Sequence, residues 1–385
     1  MAVIWGPTFD EDEAAWVARA RELARSRFAP LAAELDRDQR YPWENVAALN
    51  ESGLAGLLVP TEYGGAGGSL TLVCGVIEVI STACASTGAI LNACALGAYP
   101  LLLAGTPQQR EHYLGGMTAG RAVSFALTEE GVGSDAAAIR ATAEPEGEGY
   151  RLRGEKIYIG NGGASQTYVV FARTDPEAGS RGITAFLVDK DAPGVVIDHY
   201  EDKMGIRGTL TSNLKLDTHV PRDSVLGEPG RGLKLALQTL NAGRISVAAQ
   251  STGLGLAAYE TASAEAVRRA TFGRPIIDNQ GISFPLADVA TDLTAARMLT
   301  FTAARAFDAG DAAATLGAMA KLHASEAAHR AADVAVQVHG GAGYCKPNLA
   351  ERLYRDQRIL QIYEGSSEIQ RLVIGRAVAD EAALR

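Results

Sequence analysis

Phe125-Ala126-Leu127-Thr128-Glu129-Glu130-Gly131-Val132-Gly133-Ser134-Asp135 stands where the hydrophobic period of the chain changes. Upstream, from Glu11 to about Gly120, apolar residues recur at helical spacing. Ala14, Val17, Ala18 and Leu23 line one face of a first helix, with Arg19, Arg21 and Glu22 opposite. Leu70 to Thr82 and Ser86 to Leu103 read as two buried helices. Downstream, Tyr150 to Arg153 and Lys156 to Ile159 alternate as strands do, and Tyr168 to Phe171 and Ile183 to Val188 are β-rich runs. Glycines at 147, 149, 162, 163, 182 and 194 punctuate them as turns. Short strands with no helix between them imply an antiparallel barrel or sandwich. From Gly232 the helical period returns in Ala-rich segments broken near Arg274-Pro275, Gly310-Asp311 and Gly340-Gly341, which suits a four-helix bundle. The expected class is α+β, multidomain: a helical domain over 1–120, a β domain over 121–225 and a bundle over 226–385.

The 385 residues carry 45 acidic and 36 basic side chains, a net charge of −9. That balance, with the basic residues scattered, argues against nucleic acid as a partner. Met1 to Glu13 is acidic and lacks the charged and apolar regions of a signal peptide. The best membrane candidate, Ala93 to Ala104, is too short to span, so no membrane partner is expected. Cys74, Cys84, Cys94 and Cys345 contain no CxxC pair; the first three, ten apart on expected buried helices, read as small core residues and not as a metal site or disulfide frame, and a reducing cytoplasm is expected. Tyr63-Gly64-Gly65-Ala66-Gly67-Gly68 tempts a phosphate-cradle reading, but lacks a βαβ context and a GKS/T ending.

Two stretches have the makings of a site. In 125–135 the glycines let backbone approach a ligand, and Thr128 and Ser134 can hydrogen-bond it without adding charge; a plain turn with a Ser-Asp cap accounts for it equally well. Ile362-Tyr363-Glu364-Gly365-Ser366-Ser367-Glu368-Ile369 puts a carboxylate beside an apolar pair, an environment that raises its pKa towards that of a base catalyst. The alternative is a solvated turn between helices over Leu349 to Leu360 and Glu368 to Leu384.

Taken together the motifs resemble the acyl-CoA dehydrogenases. The 125–135 stretch is similar to their "TEPGAGSD" signature, with Glu130 and Val132 as variants. Lys156 to Gly162 resembles "K-x-W-I-T-N", Leu240-Asn241-Ala242-Gly243-Arg244-Ile245 the "D-x-x-R" helix start in its short-chain form, and Arg269 to Gly273 with Gln280 "R-x-x-F-G…Q". Gln337 to Tyr344 and the 362–369 octapeptide complete the order, which covers essentially the whole chain.

The resemblance implies bound FAD. Phe125, Leu127, Thr128, Gly133 and Ser134 would contact the flavin on one side, and Tyr158, Ile159 and Gly160 on the other. Ser366, Ser367 and Glu368 would meet it from the same subunit. Arg269, Phe272, Gln280, Gln337, Val338, His339, Gly340 and Gly341 would hold the FAD of a neighbouring subunit in a homotetramer or homodimer. Ser134, Asn241, Arg244, Tyr363 and Gly365 would bind an acyl thioester, and Glu364 would take its α-proton while the β-hydrogen passes to the flavin. Elsewhere in the family the base precedes the arginine of the earlier helix; that position is Gly243 here, which cannot act as a base. The implied activity is α,β-dehydrogenation of a short or small branched acyl-CoA in fatty acid metabolism, with an electron-transferring flavoprotein as acceptor. Tyr158 replaces the usual Trp, Gly160 the usual Thr, and Asn241 an acidic residue. Those departures leave two alternatives: a dehydrogenase of acyl-carrier-protein thioesters, or an oxidase. A non-catalytic scaffold is disfavoured by Glu364 itself.

Overall fold

The computed structural model describes residues 3–383, so Met1 and Leu384, the ends of two expected segments, lie outside it. Helices α1 (Glu11–Leu23), α2 (Ala29–Asp38), α3 (Trp43–Glu51), α4 (Leu70–Ala83) and α5 (Ala85–Ala104) are followed by two short turns of helix, α6 (Pro107–Gln109) and α7 (Gly115–Thr118). Eight strands come next: β1 (Val123–Ala126), β2 (Thr142–Glu146), β3 (Gly149–Gly160), β4 (Thr167–Arg173), β5 (Ile183–Asp189), β6 (Val195–Tyr200), β7 (Thr211–Pro221) and β8 (Val225–Leu226). Then α8 (Gly232–Arg268), a hairpin of β9 (Ala270–Thr271) and β10 (Arg274–Pro275), α9 (Gln280–Asp308), α10 (Ala314–His339), α11 (Gly341–Tyr344), α12 (Leu349–Gln357) and α13 (Ser367–Ala383) close the chain.

Helix starts follow their caps. Asp10 accepts from Glu13 N at 2.8 Å before α1, and Ser69 from Leu72 N at 3.0 Å before α4. The sheet runs in the order β6-β7-β3-β2-β4-β5-β8, with β1 beside β4. It is antiparallel except where β1 and one residue pair of β2 meet β4 in parallel. Strands β4 and β5 are buried almost throughout, because both faces are covered. Val169, Phe171, Ala185 and Leu187 face the helices, while Tyr168, Val170, Phe186 and Val188 face the β3–β7 layer.

Helix α8 is buried on nearly every side, so it carries small residues instead of a single apolar stripe. A side chain at Gly253 would lie 2.4 Å from the Glu78 carbonyl of α4, and one at Gly255 2.5 Å from Leu293 of α9. These gaps let α4, α9 and, through Ala328 at 3.4 Å from the Gly255 position, α10 close on α8, and the first and last helical regions share one apolar core. Two buried ion clusters tie that core. Arg297 of α9 grips Glu78 of α4 through two bonds of 2.7 and 2.9 Å, with the Thr252 hydroxyl of α8 donating at 2.7 Å. Arg355 of α12 grips Asp36 of α2 at 2.7 and 2.8 Å.

One expectation is corrected. The apolar segment read as Ala93 to Ala104 belongs to the 20-residue α5, long and apolar enough by composition to cross a membrane. Two thirds of its most apolar window (67%) is buried in the protein, between α4, α8 and β1, which makes it a core helix.

Candidate active site

Residues 125–128 and 157–160 are brought side by side. The Ser124 hydroxyl donates to Gly160 O at 2.7 Å, and Ile157 N donates to Thr128 O at 2.9 Å. Lys156, fully buried, clamps the two: its Nζ donates to Leu127 O at 3.1 Å and pairs with the Glu129 carboxylate at 2.6 Å. Burial pushes the Lys156 ammonium down to about 8, and Glu129 pushes it back up. Glu129 also accepts from Arg140 N and Ala141 N, which anchors the far end of the loop. A bulge between Lys156 and Ile159 puts Tyr158 at φ +59°, 62% exposed, with its N–H held by Asn213 Oδ1 at 2.9 Å. Leu127 and Ile159 are buried, Phe125 packs on Phe171, and Gly133 and Ser134 are exposed.

The shape suits an isoalloxazine ring. Around Gly133 there is open space, and a side chain at Gly160 would meet only Ala93 Cβ at 3.7 Å. Exposed Tyr158, apolar walls and neutral hydroxyls are the donor set that a flat, uncharged ring needs.

Glu364 lies at φ +53° and Gly365 at φ +91°, a left-handed pair that turns the chain into α13. The Glu364 residue is half-buried, but its Oε2 is fully buried and has no hydrogen-bond partner. A side chain at Gly243 would sit 3.2 Å from that oxygen and 3.0 Å from Leu96 Cδ1. Gly243 is thus the position that makes room for the carboxylate. Ala93, against Gly160, and Leu96, beside Gly243, are one turn apart on α5. The strand end and the carboxylate therefore flank the same turn of one helix.

Burial raises the Glu364 carboxyl to about 7, and the charges of Lys321 and Arg244 oppose the rise. A base must be ionised, so the rate of substrate-dependent flavin reduction should climb from pH 5 to pH 8 with its midpoint near 7. A midpoint near the ordinary glutamate value of about 4.3 would remove Glu364 from that role.

Tyr363 donates to Gln250 Oε1 at 2.5 Å; Asn92 donates to the same oxygen at 3.3 Å and accepts from Ser246 Oγ at 2.6 Å. Ser246 and Gln250 follow Gly243 by one and two turns along α8, so this polar knot lies farther along the α5–α8 seam. Arg244 is buried, its Nη1 donating to Asn241 Oδ1 at 3.1 Å. Ser367 is buried and its hydroxyl is spent on Glu326 at 3.0 Å; Ser366 and Glu368 lie at the mouth of α13, where the Ser366 side chain and the backbone hold the Glu368 carboxyl below its usual range.

The remaining predicted cofactor residues gather elsewhere. Arg269 Nη1 donates to His339 O at 3.3 Å, beside Gly340 and Gly341, and Phe272 protrudes fully exposed at φ +52° from the β9–β10 hairpin. Gln280 and Gln337 are exposed and Val338 is buried. Along α10 this group is some 16 residues, roughly 24 Å, from the turn that meets Gly365. One chain does not bring it to the Glu364 site. Sequence reasoning missed Lys321, Gln250, Asn92, Leu96 and the Lys156–Glu129 clamp. The available signal was a polar residue inside an Ala-rich apolar run, as in Gly317-Ala318-Met319-Ala320-Lys321.

Comparisons with known proteins match this architecture end to end. Models of the acyl-CoA dehydrogenase N-terminal, middle and C-terminal domains match residues 10–121, 124–219 and 230–379. The chain is 44% identical over 359 residues to the mitochondrial short-chain specific acyl-CoA dehydrogenase of Bos taurus, covering 92% of this chain and 87% of that one. Butyryl-CoA dehydrogenase from Megasphaera elsdenii superposes with a TM-score of 0.95 at 36% identity, covering 97% of this chain and 100% of that one. A chain from a structure described as the electron transferring flavoprotein of Acidaminococcus fermentans gives 0.95 at 38% identity, covering 97% and 99%.

Proposed function

The chain belongs to the acyl-CoA dehydrogenase family, and from that premise we propose that it is an FAD-dependent α,β-dehydrogenase of short or small branched acyl-CoAs. The observation that carries the reading is the buried, unpartnered Glu364 Oε2 facing Gly243, one turn of α5 from Gly160. Bound FAD supplies the acceptor for the β-hydrogen. Phe125, Leu127, Thr128, Gly133, Ser134 and Tyr158 to Gly160 would hold its ring, together with Ser366 and Glu368. Glu364 Oε2 takes the α-proton, and the Glu364 N–H polarises the thioester carbonyl where enolate charge grows. Gly365 lets the thioester pass, and Asn241 and Arg244 support its carrier end.

The short-chain preference rests on the polar knot. An alkyl tail running along the α5–α8 seam past Glu364 meets Tyr363, Gln250, Asn92 and Ser246, and breaking buried hydrogen bonds to admit methylenes is unfavourable. The Arg269–His339 group, too far from Glu364 in its own chain, serves the flavin of a neighbouring subunit in a homotetramer. An electron-transferring flavoprotein is the acceptor, and the enzyme works in the cytoplasm on fatty acids.

Anaerobic titration of the holoenzyme tests this. Butyryl-CoA or isobutyryl-CoA should bleach the flavin, with kcat/KM lower by at least about tenfold for octanoyl-CoA. Equal bleaching by palmitoyl-CoA would overturn the chain-length reading. Bleaching by a carrier-protein thioester alone would overturn the CoA reading.

A further inference from the structure

Lys321 is a buried cation that the reaction as described so far does not use. It lies two turns into α10 among Gly317, Ala318, Ala320 and Ala324, with no exposed surface. An ammonium removed from water needs compensation by charge or hydrogen bonds. Among the described residues it has no carboxylate within 4.0 Å, and the one hydrogen bond its Nζ makes is to Gly365 O, at 2.8 Å. That carbonyl belongs to the turn that carries Glu364. Gln370 of α13 donates to the same oxygen at 2.8 Å and to Glu364 O at 3.3 Å. Two donors from two helices thus hold a turn made of consecutive left-handed residues, a conformation that L side chains rarely adopt unaided.

The charges around the ammonium all converge on this turn: Glu364 itself, Arg244 from α8, Glu326 from α10 and Glu368 from α13. Ser367 and Gln361 already engage Glu326, and Glu368 is fully exposed. Glu364 is the buried carboxylate left to answer Lys321, and among the described residues its Oε2 has no hydrogen-bond partner, from Lys321, Arg244 or any other group. The cation therefore acts at a short distance without occupying the lone pairs that must receive a proton.

We propose that Lys321 is the positioning residue of the base: its buried ammonium holds the Glu364–Gly365 turn from below and supplies the positive charge against which the Glu364 carboxylate ionises. The inference rests on Glu364 being the base. A purely structural lysine would serve only as a donor to Gly365 O, and glutamine would replace it. The opposing influence of Lys321 on the rise that burial causes in Glu364 has the sign this role requires.

The test is the pH dependence of anaerobic flavin reduction by saturating butyryl-CoA in Lys321→Gln, Lys321→Met and Lys321→Arg holoenzymes. Alongside it, the infrared C=O stretch of the protonated carboxyl that disappears in Glu364→Gln is titrated. Without the cation the acid limb and the infrared midpoint should both move up by about one pH unit, a tenfold loss of ionised base at low pH. The rate at pH 9 should stay within about threefold, and Lys321→Arg should restore the wild-type midpoint. An unmoved midpoint in Lys321→Gln, or a rate lowered equally at every pH, overturns the proposal while leaving Glu364 as base. Turnover by Glu364→Gln would instead overturn the base assignment and this inference with it.

Discussion

Glu364→Gln should lower the rate of substrate-dependent flavin reduction by about 10³–10⁴-fold while the purified protein stays yellow. The amide matches the carboxylate in size, so the left-handed turn, the Lys321 and Gln370 bonds to Gly365 O and the backbone N–H of residue 364 all survive. What is lost is the basicity of the carboxylate, whose Oε2 is fully buried and free of hydrogen bonds. The facing position on α8 is Gly243, which offers no carboxylate in its place. Rapid-mixing measurements with butyryl-CoA, with FAD content quantified beside them, provide the comparison. Reduction within about tenfold of wild type would mean that the α-proton leaves by another route.

Glu78→Ala should cost about 3–5 kcal/mol of stability, the range for removing one partner of a buried ion pair. Glu78 lies where α4, α8 and α9 meet, and its carboxylate receives both Arg297 bonds and the Thr252 hydroxyl. Its loss leaves a guanidinium 13% exposed without its counter-charge, while the Thr252 hydroxyl keeps only Ala249 O, at 2.8 Å. Because Arg297 also donates to Trp5 O, the segment leading into α1 loosens as well. Urea unfolding with FAD in excess reads the effect, and Glu78→Leu combined with Arg297→Met should recover most of it, since neither charge is then stranded. A Glu78→Ala protein within about 1 kcal/mol of wild type would show the pair to be energetically silent.

Much of this architecture is legible in the chain. The change of period at Phe125 and again at Gly232 marks the β module, since a strand buried on one face must alternate and a packed helix cannot. The octapeptide around Glu364 is legible only as a choice between a base and a solvated turn residue, and of the apolar pair expected to wall it Ile362 stays 51% exposed. The buried helix read over Ser86 to Leu103 folds as α5, Ala85–Ala104, with Pro100 and polar Asn92 inside it. Local spacing marks that helix as buried but does not reveal that α4, α8 and β1 are what cover it.

What the sequence determines by itself is local: periods, caps, left-handed glycine turns, and the types of side chain that proton transfer and flavin binding require. Tertiary structure alone decides which of these meet. Ala93, Leu96, Gly160, Gly243, Lys321 and Glu364 come from all three regions of the chain, and their juxtaposition depends on how closely the helices approach α8. That approach is set by the absence of side chains at Gly243, Gly253 and Gly255, and a glycine in a helix does not announce what it faces. The same holds for the charge on Lys321. Its residue type is written in the chain, but its zero exposure and its place beneath the base exist only after α10 has packed against the turn. The energetic consequence of a charge depends on the dielectric and the partners around it, and those are properties of the folded whole.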